Sequence, residues 1–85
     1  MNKKVFVAKL NFKTTDETLK EYFEKVGPVE SAKVIKDYES GRSKGFGFVE
    51  FEAADQATQA IETLNNTEFE ERTIVVSEAK QRRSR

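Results

Sequence analysis

From Lys4 the chain alternates. "KVFVAKL" sets Val5 and Val7 on one face and Lys4, Phe6 and Ala8 on the other, the period of two that a strand requires. The period then lengthens: Leu19, Tyr22, Phe23 and Val26 recur every three or four residues and predict a helix with one apolar side. Thr14 and Glu17 offer a capping box ahead of it, and Gly27-Pro28 supplies a left-handed cap and a stop. "VESAKVIKD" returns to alternation, Ala32 and Val34 inward, Lys33 and Ile35 outward. After the polar loop "YESGRSK" comes "KGFGFVEF", in which Lys44, Phe46, Phe48 and Glu50 point one way and Gly45, Gly47, Val49 and Phe51 the other. "AADQATQAIETL" predicts a second helix with the small stripe Ala57, Ala60, Ile61 and Leu64, ended by Asn65-Asn66. "TIVVSEA" closes with Ile74 and Val76 inward and Val75 and Ser77 outward; the short "EF" at 68 and 69 adds a minor hairpin strand.

The order strand, helix, strand, strand, helix, strand, with right-handed crossovers, predicts an α+β fold. It is a ferredoxin-like βαββαβ sandwich, a four-stranded antiparallel sheet in the order 4-1-3-2 with both helices on one face. Gly45 and Gly47 suit a strand over which a helix packs closely. The first and third strands lie side by side in the centre, so Phe6, Phe46 and Phe48 gather on the uncovered face. Contiguous apolar patches usually mark binding.

Composition narrows the chemistry. The 85 residues include neither cysteine nor histidine, which removes disulfides, thiolate chemistry, and the commonest general base and metal ligand. No convergent carboxylate pair or phosphate-cradling glycine loop can be assembled, so no catalytic residue, metal or cofactor is expected. No apolar run reaches membrane-span length, and an intracellular domain that does not engage a membrane is expected, with cytoplasm and nucleus not distinguished. Net charge is zero but segregated. Lys3, Lys4, Lys9 and Lys13 open the chain and Lys80, Arg82, Arg83 and Arg85 end it, while residues 52–71 carry acids alone. Lys4, Lys33, Arg42 and Lys44 ring the phenylalanines. Rings with cations beside them fit single-stranded nucleic acid, whose bases stack on aromatics while phosphates meet lysine and arginine.

The octamer Lys44-Gly45-Phe46-Gly47-Phe48-Val49-Glu50-Phe51 resembles the longer signature of the RNA recognition motif (RRM) family at every position, and Val5 to Leu10 resembles its shorter hexamer. The resemblance implies an open sheet that binds a few nucleotides of single-stranded RNA. Carried over by motif position, Phe6 and Phe48 each stack on a base, Phe46 packs against sugars, and Lys44 contacts a phosphate. The segment from Ser77 through Ala79 to Lys80 contributes main-chain base contacts in similar proteins. Three positions depart from the pattern: Lys9 replaces the usual asparagine, and Asn66 and Glu71 replace turn glycines. Glu70-Glu71 is poor turn chemistry and implies a loose or differently shaped hairpin.

The domain is expected to span residues 1–80, with a short basic tail at 81–85. The expected partner is single-stranded RNA, used in RNA regulation or processing by a monomer. Single-stranded DNA is not separated from it, because ring stacking ignores the 2′-hydroxyl. The alternative is an RRM-like protein-interaction module that uses its helical face or its sheet. Arg42 can equally be a plain loop charge.

Overall fold

The computed structural model describes residues 3–79. Along them run β1 (Lys4–Ala8), α1 (Asp16–Phe23), β2 (Val29–Lys36), β3 (Ser43–Phe51), α2 (Ala54–Leu64), β4 (Glu68–Phe69), β5 (Arg72–Thr73) and β6 (Val75–Glu78). Strands β2, β3, β1 and β6 form one antiparallel sheet in that order. Leaving the β4–β5 hairpin out of the count, this is the 4-1-3-2 arrangement the element order predicts. Helix α1 packs on β2 and β3, and α2 on β6, β1 and β3.

The strand alternation decides what lies beneath the helices. Val5, Val7, Val34, Val49, Phe51 and Val76 are buried against Leu19 and Phe23 of α1 and Ala57, Ala60 and Leu64 of α2. The Phe23 and Phe51 rings meet with centroids 6.3 Å apart at the middle of this layer. Fully burying each large apolar side chain is worth about 1.5–3 kcal/mol, which is how an 85-residue chain sustains a core.

Several local expectations are corrected. The cap of α1 is Thr15, one residue later than the sequence pattern suggests. Its Oγ1 accepts from the Thr18 N–H at 3.2 Å, while Thr18 Oγ1 accepts from the Thr15 N–H at 3.0 Å. Thr14 is instead buried and donates its hydroxyl to the Glu70 carboxylate, a tertiary bond that removes it from capping. Helix α1 ends at Glu24, a right-handed C-cap, and Gly27 is not left-handed. Gly27 instead lies against the end of the Gln56 side chain: a Cβ on it would stand 2.7 Å from Gln56 Nε2 and displace that amide. Gln56 in turn accepts the Ala53 N–H at 3.3 Å, serving the start of α2, where Ala53 has no capping side chain of its own.

The glycines of β3 serve the sheet and not a helix. A Cβ on Gly47 would collide with the Lys33 carbonyl oxygen and stand 3.0 Å from Val34 Cα, both on β2. Gly45 has φ +86°, in the left-handed region, and lies where the β2–β3 register shifts between Val34 and Lys36. Left-handed backbone also appears at each departure from the family pattern: Lys9 (φ 63°), Asn66 (φ 65°) and Glu71 (φ 70°), with Glu70 at φ 52°. Glu70-Glu71 therefore forms a closed two-residue turn between the paired Phe69 and Arg72, with the positive φ at both central positions that a type I′ hairpin needs. The hairpin is anchored by buried Phe69, whose ring stacks on Tyr22 at 4.3 Å.

Candidate nucleic-acid interface

Strand register builds the open face row by row. In the central row, Ser77 of β6, Phe6 of β1, Phe48 of β3 and Lys33 of β2 are successive cross-strand partners. The next row pairs Val75, Ala8 and Phe46, and on the other side Lys4, Glu50 and Ser31 are partners. These side chains face away from the helices because each alternates with a buried neighbour: Phe6 lies between Val5 and Val7, and Phe48 between Gly47 and Val49.

Phe6 is the hub. Its ring centroid lies 5.5 Å from that of Phe46 and 5.4 Å from that of Phe48, with interplanar angles of 43° and 57°. The three rings are half-buried, and their mutual tilts make a faceted surface and not a single flat floor. Tilted packing of this kind suits aromatic quadrupoles. Lys4 Nζ lies 5.7 Å from the Phe48 centroid, placing a cation at the margin.

The other candidates fall at three places. Lys33 and Ser77 are exposed at the two ends of the aromatic row. Arg42, just before β3, and Lys44, its second residue, are both exposed and line a groove shared with Phe46. Ala79 is buried, its N–H donated to the Lys4 carbonyl at 3.1 Å, so the chain is still bound to the sheet one residue past β6. Lys80 and the basic tail lie outside the described residues.

The loop that carries Arg42 is compact. Asp37 N–H donates to the Arg42 carbonyl at 2.6 Å, Gly41 N–H to the Asp37 carbonyl at 2.8 Å, and Arg42 N–H to Ser40 Oγ at 3.2 Å. The Glu39 N–H, then the Ser40 N–H and the Lys44 charge, hold the Asp37 carboxyl below the usual carboxylate range. Asp37 thus stays anionic and fastens the loop.

Sequence reasoning missed two features. One is the clamp on the β1–α1 loop, where Asn11 Nδ2 donates to the Glu70 carbonyl at 2.9 Å beside the Thr14–Glu70 bond. The other is Phe12, which is 68% exposed beside Gly45. Its only signal in the sequence is an aromatic residue in a polar loop directly after a strand. Among the described residues no group of acids could hold a metal ion, and no helix is long and apolar enough to cross a membrane.

A four-stranded antiparallel sheet with helices on one face and an aromatic row on the other defines a class of sheet-surface binding domains. The chain belongs to the RNA recognition motif family, whose sequence profile matches residues 5–75. It is 46% identical over 79 residues to the glycine-rich RNA-binding protein blt801 of Hordeum vulgare, covering 93% of this chain and 49% of that one. It spans about half the length of such curated relatives. Among solved structures, the crystal structure of RNA-binding protein PG1 is 43% identical with a TM-score of 0.87, covering 95% of this chain and 98% of that one. The Sxl-lethal protein–RNA complex matches at 30% identity and a TM-score of 0.89, covering 95% of this chain and 48% of that one. Some further relatives are named as chloroplastic or mitochondrial proteins.

Proposed function

We propose that this domain binds single-stranded RNA across its open sheet face and works in RNA regulation or processing inside the cell. The observation that carries the reading is the Phe6–Phe46–Phe48 cluster, half-exposed on the face the helices leave open and flanked in its own row by Ser77 and Lys33. Phe6 and Phe48 stack on successive bases, each contact worth about 1–3 kcal/mol. Phe46 packs against the sugars between them. Lys4, Lys33, Arg42 and Lys44 neutralise phosphates, while Ser77, Ala79 and Lys80 guide the strand with main-chain groups. The relatives' names, and the complex with RNA among the similar folds, support the same reading.

With few phosphate contacts and no net charge, the affinity is expected in the micromolar range with modest sequence preference. The test is a titration of wild type and the Phe46→Ala/Phe48→Ala variant against random RNA and DNA oligomers at two ionic strengths. Binding is lost in the variant while its circular dichroism stays that of wild type. A variant that binds as well as wild type, or wild-type affinity indifferent to salt, overturns the reading; the second result favours an apolar protein contact.

A further inference from the structure

Phe12 is left unused by the sheet reading, and it does not stand on a loose loop tip. Leu10, two residues before it, is buried and donates its N–H to the Gly45 carbonyl at 2.8 Å. Asn11 holds the loop on both sides: its Nδ2 donates to the Glu70 carbonyl, and its Oδ1 accepts the Lys13 N–H at 2.9 Å. The Phe12 ring lies beside Gly45, its Cε1 3.5 Å from where a Cβ on that glycine would sit. A mostly exposed aromatic ring is thus carried by an anchored loop, beside the residue that precedes Phe46.

Between the β1–α1 and β2–β3 loops lies an open groove of about 1190 Å³, lined by Phe12, Phe46, Lys13, Lys36, Arg42 and Lys44. Small-ligand sites typically measure about 300–1,000 Å³, so a nucleotide fits with room to spare. Three carboxylates share the groove, but two are already engaged: Asp16 accepts the Val34 N–H at 2.7 Å and Asp37 the Glu39 N–H at 2.9 Å. Those carboxylates keep their charge, but the four cations Lys13, Lys36, Arg42 and Lys44 outnumber the three acids Asp16, Glu17 and Asp37, so the groove lining is net positive.

We propose that this groove takes one further nucleotide of the bound strand as it runs off the sheet past Phe46. Its base stacks on Phe12 and its phosphate sits among Lys13, Arg42 and Lys44. This rests on RNA binding by the sheet, so the experiment separates the two. Fluorescein-labelled random-sequence RNAs of four and eight nucleotides are titrated by anisotropy against wild type, Phe12→Ala, Phe12→Trp and Phe46→Ala/Phe48→Ala. Phe12→Ala binds the four-nucleotide RNA as wild type does and the eight-nucleotide RNA at least about fivefold more weakly, the low end for one stacked base. The chain contains no tryptophan, so Phe12→Trp adds a single reporter, whose fluorescence is quenched by saturating eight-nucleotide RNA and little by the shorter one. Equal affinities of Phe12→Ala and wild type at both lengths, an equal loss at both lengths, or an unquenched tryptophan overturns the groove. A wild type that binds neither RNA, or a Phe46→Ala/Phe48→Ala variant that binds both normally, overturns the sheet reading instead.

Discussion

Gly47 of β3 and Val34 of β2 are cross-strand partners whose backbones leave no space for a side chain: a Cβ at position 47 would stand 3.0 Å from Val34 Cα and collide with the neighbouring Lys33 carbonyl oxygen. The strand that presents Phe46 and Phe48 can approach β2 this closely because position 47 carries no side chain.

Gly47→Ala is therefore expected to cost about 1–3 kcal/mol, as overpacking does. Gly41, at φ +74° with nothing within 4 Å of an added Cβ, provides the contrast. Gly41→Ala carries only the left-handed penalty of about 1–2 kcal/mol. Thermal melts should place Gly47→Ala lowest of the three proteins, with RNA affinity reduced as well because the rows shift. A melting point for Gly47→Ala at or above that of Gly41→Ala would contradict the close contact.

The Glu70-Glu71 turn stores strain that one substitution relieves. Glu71 is exposed at φ 70°, and no described side-chain hydrogen bond depends on it, so Glu71→Gly should stabilise the fold by about 1 kcal/mol. In a domain of this size that raises Tm by about 4–8 °C. Glu70→Gly should gain less or lose outright, because the Glu70 carboxylate accepts the buried Thr14 hydroxyl.

Thr15 and Thr14 separate by role. Thr15→Ala removes the reciprocal cap with Thr18 and should cost about 1 kcal/mol. Thr14→Val keeps the volume but leaves Glu70 without its donor, so its penalty should shrink when combined with Glu70→Ala, which removes the acceptor. A double-mutant cycle by urea unfolding measures the coupling, and additive values would show that the Thr14–Glu70 bond contributes nothing.

Lys44→Ala should weaken RNA binding uniformly across sequences and reduce the salt slope by about one. Lys33→Ala, at the end of the aromatic row, is expected to do the same. An unchanged slope in either variant removes that residue from the phosphate contacts.

How much of this is legible in the sequence depends on the range of the interactions. Phe6, Phe46 and Phe48 declare their face through the period of two, which needs only local backbone geometry, and their assembly follows from strand order. The reasons for the glycines are not local. Gly27 lies against the Gln56 side chain, and Gly47 against the backbone of β2, so each depends on a segment distant along the chain. The capping pattern is misread by one residue for a similar cause: Thr14 is claimed by Glu70, 56 positions away. Phe12 escapes because its place beside Gly45 joins two segments distant along the chain and follows no periodicity.

The flanking of Phe6 by buried Val5 and Val7 has an effect on quality control. Sliding β1 by a single residue would turn the benzyl group into the interior and leave two valines wet, which forfeits cohesion as well as the ligand. A misaligned molecule would thus be less stable, and the correctly aligned population turns its aromatic face outward.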